Sequence, residues 1–285
     1  AEAFRDLFEN RCQFRHFENY LTGLMVLPNK SMANIARGVI ERSDKTNIAR
    51  YFSKGRWLEE RLNTRRIEYV LHESQRVRLK KEHSALILDD TLCEHVGSLF
   101  DYIDRHYNHS DNAYPLAHNP VTSHYVSGPV RFPVDLRLYR RYEEATDWEE
   151  FVQKHFPERE IPKKKKERAQ FHKAVDPTLL QDAEFHALHE QFQTKIDLAK
   201  ELVEAALRHK LPFSVVLFDS WYLAKEFIAC LRRRKKDWIS ILKKNRKLET
   251  NSFVLKDTQG KRLPLEGPQI KVEDLVALIP ASAYR

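Results

Sequence analysis

Apolar residues recur at mostly helical spacing from residue 4 to about residue 25, through Leu7, Phe8, Phe14, Phe17, Leu21 and Leu24. That stripe predicts one helix, which Pro28 ends. Two shorter helices are expected next, one from about Ser31 and one after Ser43-Asp44, whose side chains can cap its first amides. A longer helix, dense in Arg and Glu, is expected over residues 57–81. Then the period changes. Ser84-Ala85-Leu86-Ile87-Leu88-Asp89 is an unbroken apolar run ending in acid, suited to a strand in the middle of a sheet covered on both faces. Residues 121–126 and 130–139 alternate around Ser127-Gly128-Pro129 and predict a hairpin, in which Pro133 demands an edge or a bulge. The polar stretch holding Lys163-Lys164-Lys165-Lys166 reads as a solvated loop. Residues 181–210 predict one amphipathic helix that buries Phe185, Leu188, Phe192, Ile196, Leu198, Leu202 and Ala206. A second apolar strand over residues 213–218 ends at Asp219, followed by a helix over 224–234 and a third apolar strand over 238–242. The remainder, with Gly260, Pro264, Gly267 and Pro268, reads as loop or short strand.

A strand, a hairpin, a helix, then helix-separated strands is the element order of a ribonuclease-H-like mixed sheet flanked by helices, an α/β fold. Here it follows an all-helical N-terminal region. A right-handed crossover would return the chain beside its first strand, which brings Asp90 and Asp219 out at one end of the sheet. Two bare carboxylates so placed repel each other unless a cation neutralises them, and hard oxygen ligands select Mg2+ or Mn2+. Two such ions about 4 Å apart would activate a water or a 3′-hydroxyl and stabilise the leaving oxygen of a phosphoryl displacement. Either aspartate taken alone is also a common turn or cap residue. Asp89 competes with Asp90, and strand alternation lets only one of them face the site; Asp90 is the choice.

Charge names the partner class. With a net charge of +8 and 32% charged residues over 285 positions, the chain suits a polyanion, most simply nucleic acid. Nine of the residues from 232 to 247 are basic, among them Lys243, Lys244, Arg246 and Lys247, and they flank the strand beside Asp219, where phosphate contacts are expected. The two short N-terminal helices carry Arg37, Lys45, Asn47 and Arg50, as a helix-turn-helix would, or as a small bundle with a solvated basic face would. Trp221 and Tyr222 would either stack on an extruded base or pack under the sheet. Cys12, Cys93 and Cys230 are too scattered for a zinc or disulfide framework, and a reducing cytoplasm is expected. No apolar run approaches the roughly 18 residues that span a bilayer. His106, His109, His118 and His124 match no metal-ligand spacing, and phosphate-loop, nucleophile-elbow and dinucleotide motifs are missing.

Leu88-Asp89-Asp90-Thr91, His124-Tyr125, Val130-Arg131-Phe132-Pro133, Leu217-Phe218-Asp219-Ser220-Trp221-Tyr222 and Ile241-Leu242-Lys243-Lys244-Asn245-Arg246-Lys247 together resemble DDE-type insertion-sequence transposases. Tyr20-Leu21-Thr22-Gly23-Leu24 and Asn47-Ile48-Ala49-Arg50-Tyr51-Phe52-Ser53 resemble the helical DNA-binding region of the same group. The resemblance implies Asp90 and Asp219 as the first two catalytic, metal-binding aspartates, two Mg2+ (or Mn2+) ions, and double-stranded DNA as partner, both mobile-element ends and target. It also implies a homodimer in the synaptic complex and a cytoplasmic, nucleoid-associated protein. The expected organisation is a DNA-binding region over residues 1–81, a catalytic core over 82–248 and the start of a β-rich insertion over 249–285. In that group a third carboxylate, a glutamate, lies on a helix beyond the insertion. Glu226, Glu249, Glu266 and Glu273 do not fit it, so a fragment that ends before the glutamate is expected.

Overall fold

A computed structural model describes residues 1–38, 44–55, 59–74, 79–97, 100–108, 110–256 and 259–279. The chain separates into two compact units, Ala1–Leu79 with Arg208–Lys210, and Lys80–Leu207 with Leu211–Arg285.

In the first unit the stripe expected to form one helix is divided. A 3-10 turn covers Glu2–Leu7, and α1 (Arg11–Val26) begins afresh because the side chain of Asn10 caps it, accepting from the Gln13 amide at 3.0 Å. α2 (Met32–Gly38) and α3 (Lys45–Lys54) follow, and Asp44 caps α3 through the Thr46 amide at 2.6 Å. The long helix expected over residues 57–81 is described as α4 (Glu59–Glu73). Phe8, Phe14, Phe17 and Tyr51 form one buried cluster, and Ile35, Ala36 and Ile48 form another. Gly23 lets α1 pack closely on α2, since a Cβ there would meet two carbons of the fully buried Ile35 at 2.7 Å. Gly23→Ala would gain about 1 kcal/mol of helix propensity, against about 1–3 kcal/mol of overpacking. Because Ile35 has nowhere to move, a net loss of about 1–2 kcal/mol is expected in denaturant unfolding of the full chain.

The second unit is built on a seven-stranded mixed sheet. Its strands are β1 (Ser84–Asp90), β2 (Cys93–Glu94), β3 (Asp104–Arg105), β4 (Leu116–Ser127), β5 (Val130–Tyr139), β6 (Val215–Phe218) and β7 (Asp237–Ser240). The order β5-β4-β1-β6-β7, with β2 and β3 paired to the start of β4, is the ribonuclease-H-like arrangement. β1 and β6 are parallel neighbours, with Leu88 opposite Phe218. Pro133 satisfies both conditions set for it: β5 is an edge strand, and its register with β4 shifts between Ser123 and His124, opposite the proline. The crossover into β6 is α9 (Lys195–Arg208), and α10 (Lys225–Arg233) links β6 to β7.

Between β5 and α9 lies a helical insert of α5 (Tyr142–Ala145), α6 (Trp148–His155), α7 (Lys165–Leu179) and α8 (Ala183–Gln191), of which the sequence pattern predicted only the stretch that forms α8. Lys165 and Lys166 therefore open a helix instead of lying in a loop. The single helix expected over residues 181–210 is α8 and α9, parted where the Thr194 hydroxyl and amide bond the Asp197 carboxylate as a cap. The insert has its own core of Trp148, Phe151, Val152, Val175, Leu179 and Phe185. After β7, β8 (Lys247–Glu249) pairs antiparallel with β9 (Gln269–Lys271), and α11 (Val272–Leu278) follows where only loop or strand was expected. Among the described residues no helix is long and apolar enough to cross a membrane.

Candidate active site

β1 buries Ser84, Leu86 and Leu88, so alternation carries Asp90 onto the same face and Asp89 onto the other. Asp90 keeps 23% of its side chain exposed. Its Oδ2 accepts from the Lys195 ammonium at 2.6 Å, and its Oδ1 accepts from the Tyr222 hydroxyl at 2.9 Å. Asn119 completes the set: with its amide turned to satisfy both neighbours, it donates to Asp90 Oδ2 at 3.2 Å and accepts from Lys195 at 2.9 Å.

Asp219 leaves the carboxyl end of β6, next to β1. Its Oδ1 accepts from the Trp221 amide at 2.8 Å and its carbonyl accepts from the Ser240 hydroxyl at 3.0 Å, which fixes the turn that follows. That turn delivers the fully buried Tyr222 to Asp90. Burial, then the charge of Asp90 and its hydrogen bond, with Asp219 and Asp89 adding, pushes the Tyr222 phenol well above its ordinary pKa. The Tyr222 hydroxyl thus lies in the combined field of three carboxylates. Asp89 feels the same crowding: burial first, then the charges of Asp90 and Asp219, raises its carboxyl pKa.

Hard carboxylate oxygens at the ends of neighbouring parallel strands suit Mg2+ or Mn2+, and the Lys195 ammonium stands against Asp90. Asp90 and Asp219 are two carboxylates there whose oxygens could hold such an ion. Among the described residues, no group of three or more His, Cys, Asp and Glu side chains is arranged to bind a metal. Glu226 is exposed in the first turn of α10, and Glu273 pairs with Lys271.

Of the two readings of Trp221 and Tyr222, packing under the sheet holds for Tyr222. Tyr222 packs inward, while Trp221 is 50% exposed. Beside it a cleft of about 330 Å³ is lined by Ser220, Trp221, Leu223, Lys243, Asn245 and Arg246. Lys243, Lys244 and Lys247 are exposed, whereas Arg246 is anchored through a hydrogen bond to the Leu223 carbonyl at 2.9 Å. In the first unit Asn47 and Arg50 are exposed on α3, and Arg37 folds back onto the Ala33 carbonyl and Asn34. Lys45 opens α3, but its side chain lies outside the described residues, as does His109. His118 pairs with His95 at 2.9 Å, and His124 is exposed on β4.

Sequence reasoning missed Lys195 and Asn119. Asn119 was within reach: Asp90 pairs with Val121 across β1 and β4, and Asn119 stands two residues along on the same face. Lys195 gave no such signal, because a lysine within the amphipathic stretch expected over residues 181–210 looks like surface.

No curated protein matches the chain. The family model described as DDE superfamily endonuclease matches residues 3–276, which takes in both compact units. Endonucleases of this superfamily act on DNA and generally use divalent metal ions. A match over nearly the whole length, on a ribonuclease-H-like sheet with aspartates ending its two central parallel strands, places the chain in the DDE superfamily endonuclease family.

Proposed function

We propose that this chain is a transposase that cuts and transfers DNA strands at the ends of a mobile element, with Asp90 and Asp219 as catalytic metal ligands. The observation that carries this reading is the pair of acidic strand ends on β1 and β6, crowded around the Tyr222 hydroxyl and already drawing a cation to Asp90. When bound, two Mg2+ or Mn2+ ions supply Lewis-acid stabilisation and an activated oxygen nucleophile for in-line phosphoryl displacement. The chain's own residues do the rest. Asp90 and Asp219 provide the anionic oxygens, and the Tyr222 hydroxyl orients the Asp90 carboxylate. Lys243, Lys244 and Lys247 meet phosphates, while Arg37, Lys45, Asn47 and Arg50 belong to the region that recognises element ends. Holding two ends at once calls for two copies of the chain, acting on DNA in the cytoplasm.

The test is strand nicking by the full chain on double-stranded DNA carrying the element's ends, with Mn2+ supplied. Nicking that EDTA stops is the expected result. Salt-sensitive binding with no nicking at high protein concentration would point instead to a non-catalytic DNA-binding protein, and nicking with no preference for element ends would point to a general nuclease.

Exposed lysines report on the same reading. Each phosphate neutralised contributes a slope of about −0.9 to the dependence of log K on log salt. Replacing Lys243 and Lys244 together by Gln is expected to flatten that slope by about two units in a fluorescence-anisotropy titration, with little change in fold because both side chains are exposed.

A further inference from the structure

Lys195 is unusual for a residue that begins a helix. Its side chain is only 14% exposed, and its ammonium stands 2.6 Å from Asp90 Oδ2, with the Asn119 carbonyl oxygen at 2.9 Å once that amide is turned to satisfy both neighbours. Two aromatic faces close the rest of its surroundings: Nζ lies 5.1 Å from the Tyr139 ring centroid and 5.4 Å from that of Trp221. An ammonium in such a place is bound as a ligand is, by a carboxylate, an amide oxygen and two π faces. It also answers an electrostatic need, since Asp89, Asp90 and Asp219 gather their charges at one end of the sheet.

We infer that Lys195 is a built-in counterion of Asp90, which a divalent cation must displace, so that Lys195 sets how tightly the metal binds. The inference rests on the reading of Asp90 as a metal ligand. The physical reason is exclusion: an ammonium and a divalent ion cannot share Asp90 Oδ2 at contact distance without strong cation–cation repulsion. Lys195 is attached by a flexible four-carbon stem at the first position of α9, so its head can leave while the helix stays in place. An ammonium freed beside the cleft at Trp221 and Lys243 is also placed to meet a DNA phosphate.

Two measurements on the full chain test this. In the first, Mn2+ affinity is read from the electron paramagnetic resonance signal of free Mn2+ for the unmodified protein, Lys195→Met and Lys195→Arg. Lys195→Met is expected to bind Mn2+ at least tenfold more tightly, and Lys195→Arg, which keeps the charge, is expected to show no such gain. In the second, acetylation of Lys195 in the unmodified protein is followed by mass spectrometry as Mn2+ is added, which requires no variant to fold. Labelling is expected to rise as the ammonium leaves Asp90. Mn2+ binding that Lys195→Met leaves unchanged or weakens, or labelling that stays flat or falls while Mn2+ binds, would overturn the inference and leave the metal reading intact. If neither the unmodified protein nor either variant binds Mn2+, the metal reading falls, and the inference with it.

Discussion

Asp219→Asn is expected to slow Mn2+-dependent strand nicking by about a thousandfold or more while leaving the fold intact. Metal-assisted stabilisation of the transferring phosphoryl group is worth several kcal/mol, and about 4 kcal/mol corresponds to a factor of about a thousand in rate. The amide is the right replacement at this position. Its oxygen can still accept from the Trp221 amide, as Oδ1 of Asp219 does at 2.8 Å, so the turn that carries Tyr222 to Asp90 survives. Only the charge is lost. Single-turnover nicking measures the rate, and denaturant unfolding should place the variant within about 0.5 kcal/mol of the parent. Asp90→Asn is a less clean change, because it would strand the Lys195 ammonium at 14% exposure without its anion. Activity and stability should then fall together.

The largest expected loss of stability comes from Trp148→Ala in the helical insert. Trp148 is fully buried, stacks on His172 with centroids 3.9 Å apart, and donates from Nε1 to Asp176 at 2.7 Å. Removing an indole from such a core costs about 3–5 kcal/mol. The loss spreads because His172 also bonds Glu143 at 2.8 Å, and Glu143 in turn receives Arg168 at 2.6 and 2.7 Å. Burial alone would raise the Glu143 pKa, but the hydrogen bonds from Arg168 and His172 outweigh it and hold the carboxyl low. Hydrogen exchange should show residues 142–191 opening first in the variant, ahead of the strands. Since α9 starts directly beyond the insert, Lys195 should lose its fixed position in the same event.

The two central parallel strands, β1 and β6, were legible because each is an apolar run that leads into an acid. A strand buried on both faces shows itself without alternation, and the handedness of a crossover then places β1 beside β6. Pro133 likewise announced the edge and the bulge at which it sits. The helical insert was legible only at α8: α5 has four residues and α6 has eight, too few for a period to stand out, and α7 opens on the lysine run that reads as a solvated loop. Trp148, Phe151 and Val152 do fall at helical spacing, but Glu149 and Glu150 between them mask the stripe. Asn10 and Thr194 ended and restarted helices through caps that a hydrophobic pattern does not register. That Asp90 and Asp219 stand at the ends of neighbouring strands could be read from sequence. The counterion could not, because the burial of Lys195 is created by Asn119 and Tyr139, paired across the β4–β5 hairpin, and by Trp221 after β6, both far from residue 195 in sequence.

Iron-mediated backbone cleavage tests most directly whether Asp90 and Asp219 serve one metal site. Fe2+ loaded onto the full chain in place of Mg2+, with ascorbate and peroxide, generates short-lived radicals that cut the polypeptide near the bound ion. Cuts at both strand ends, close to residues 90 and 219, that excess Mg2+ suppresses in parallel are the predicted result. Cuts at only one of the two, or none above the metal-free background, would contradict it.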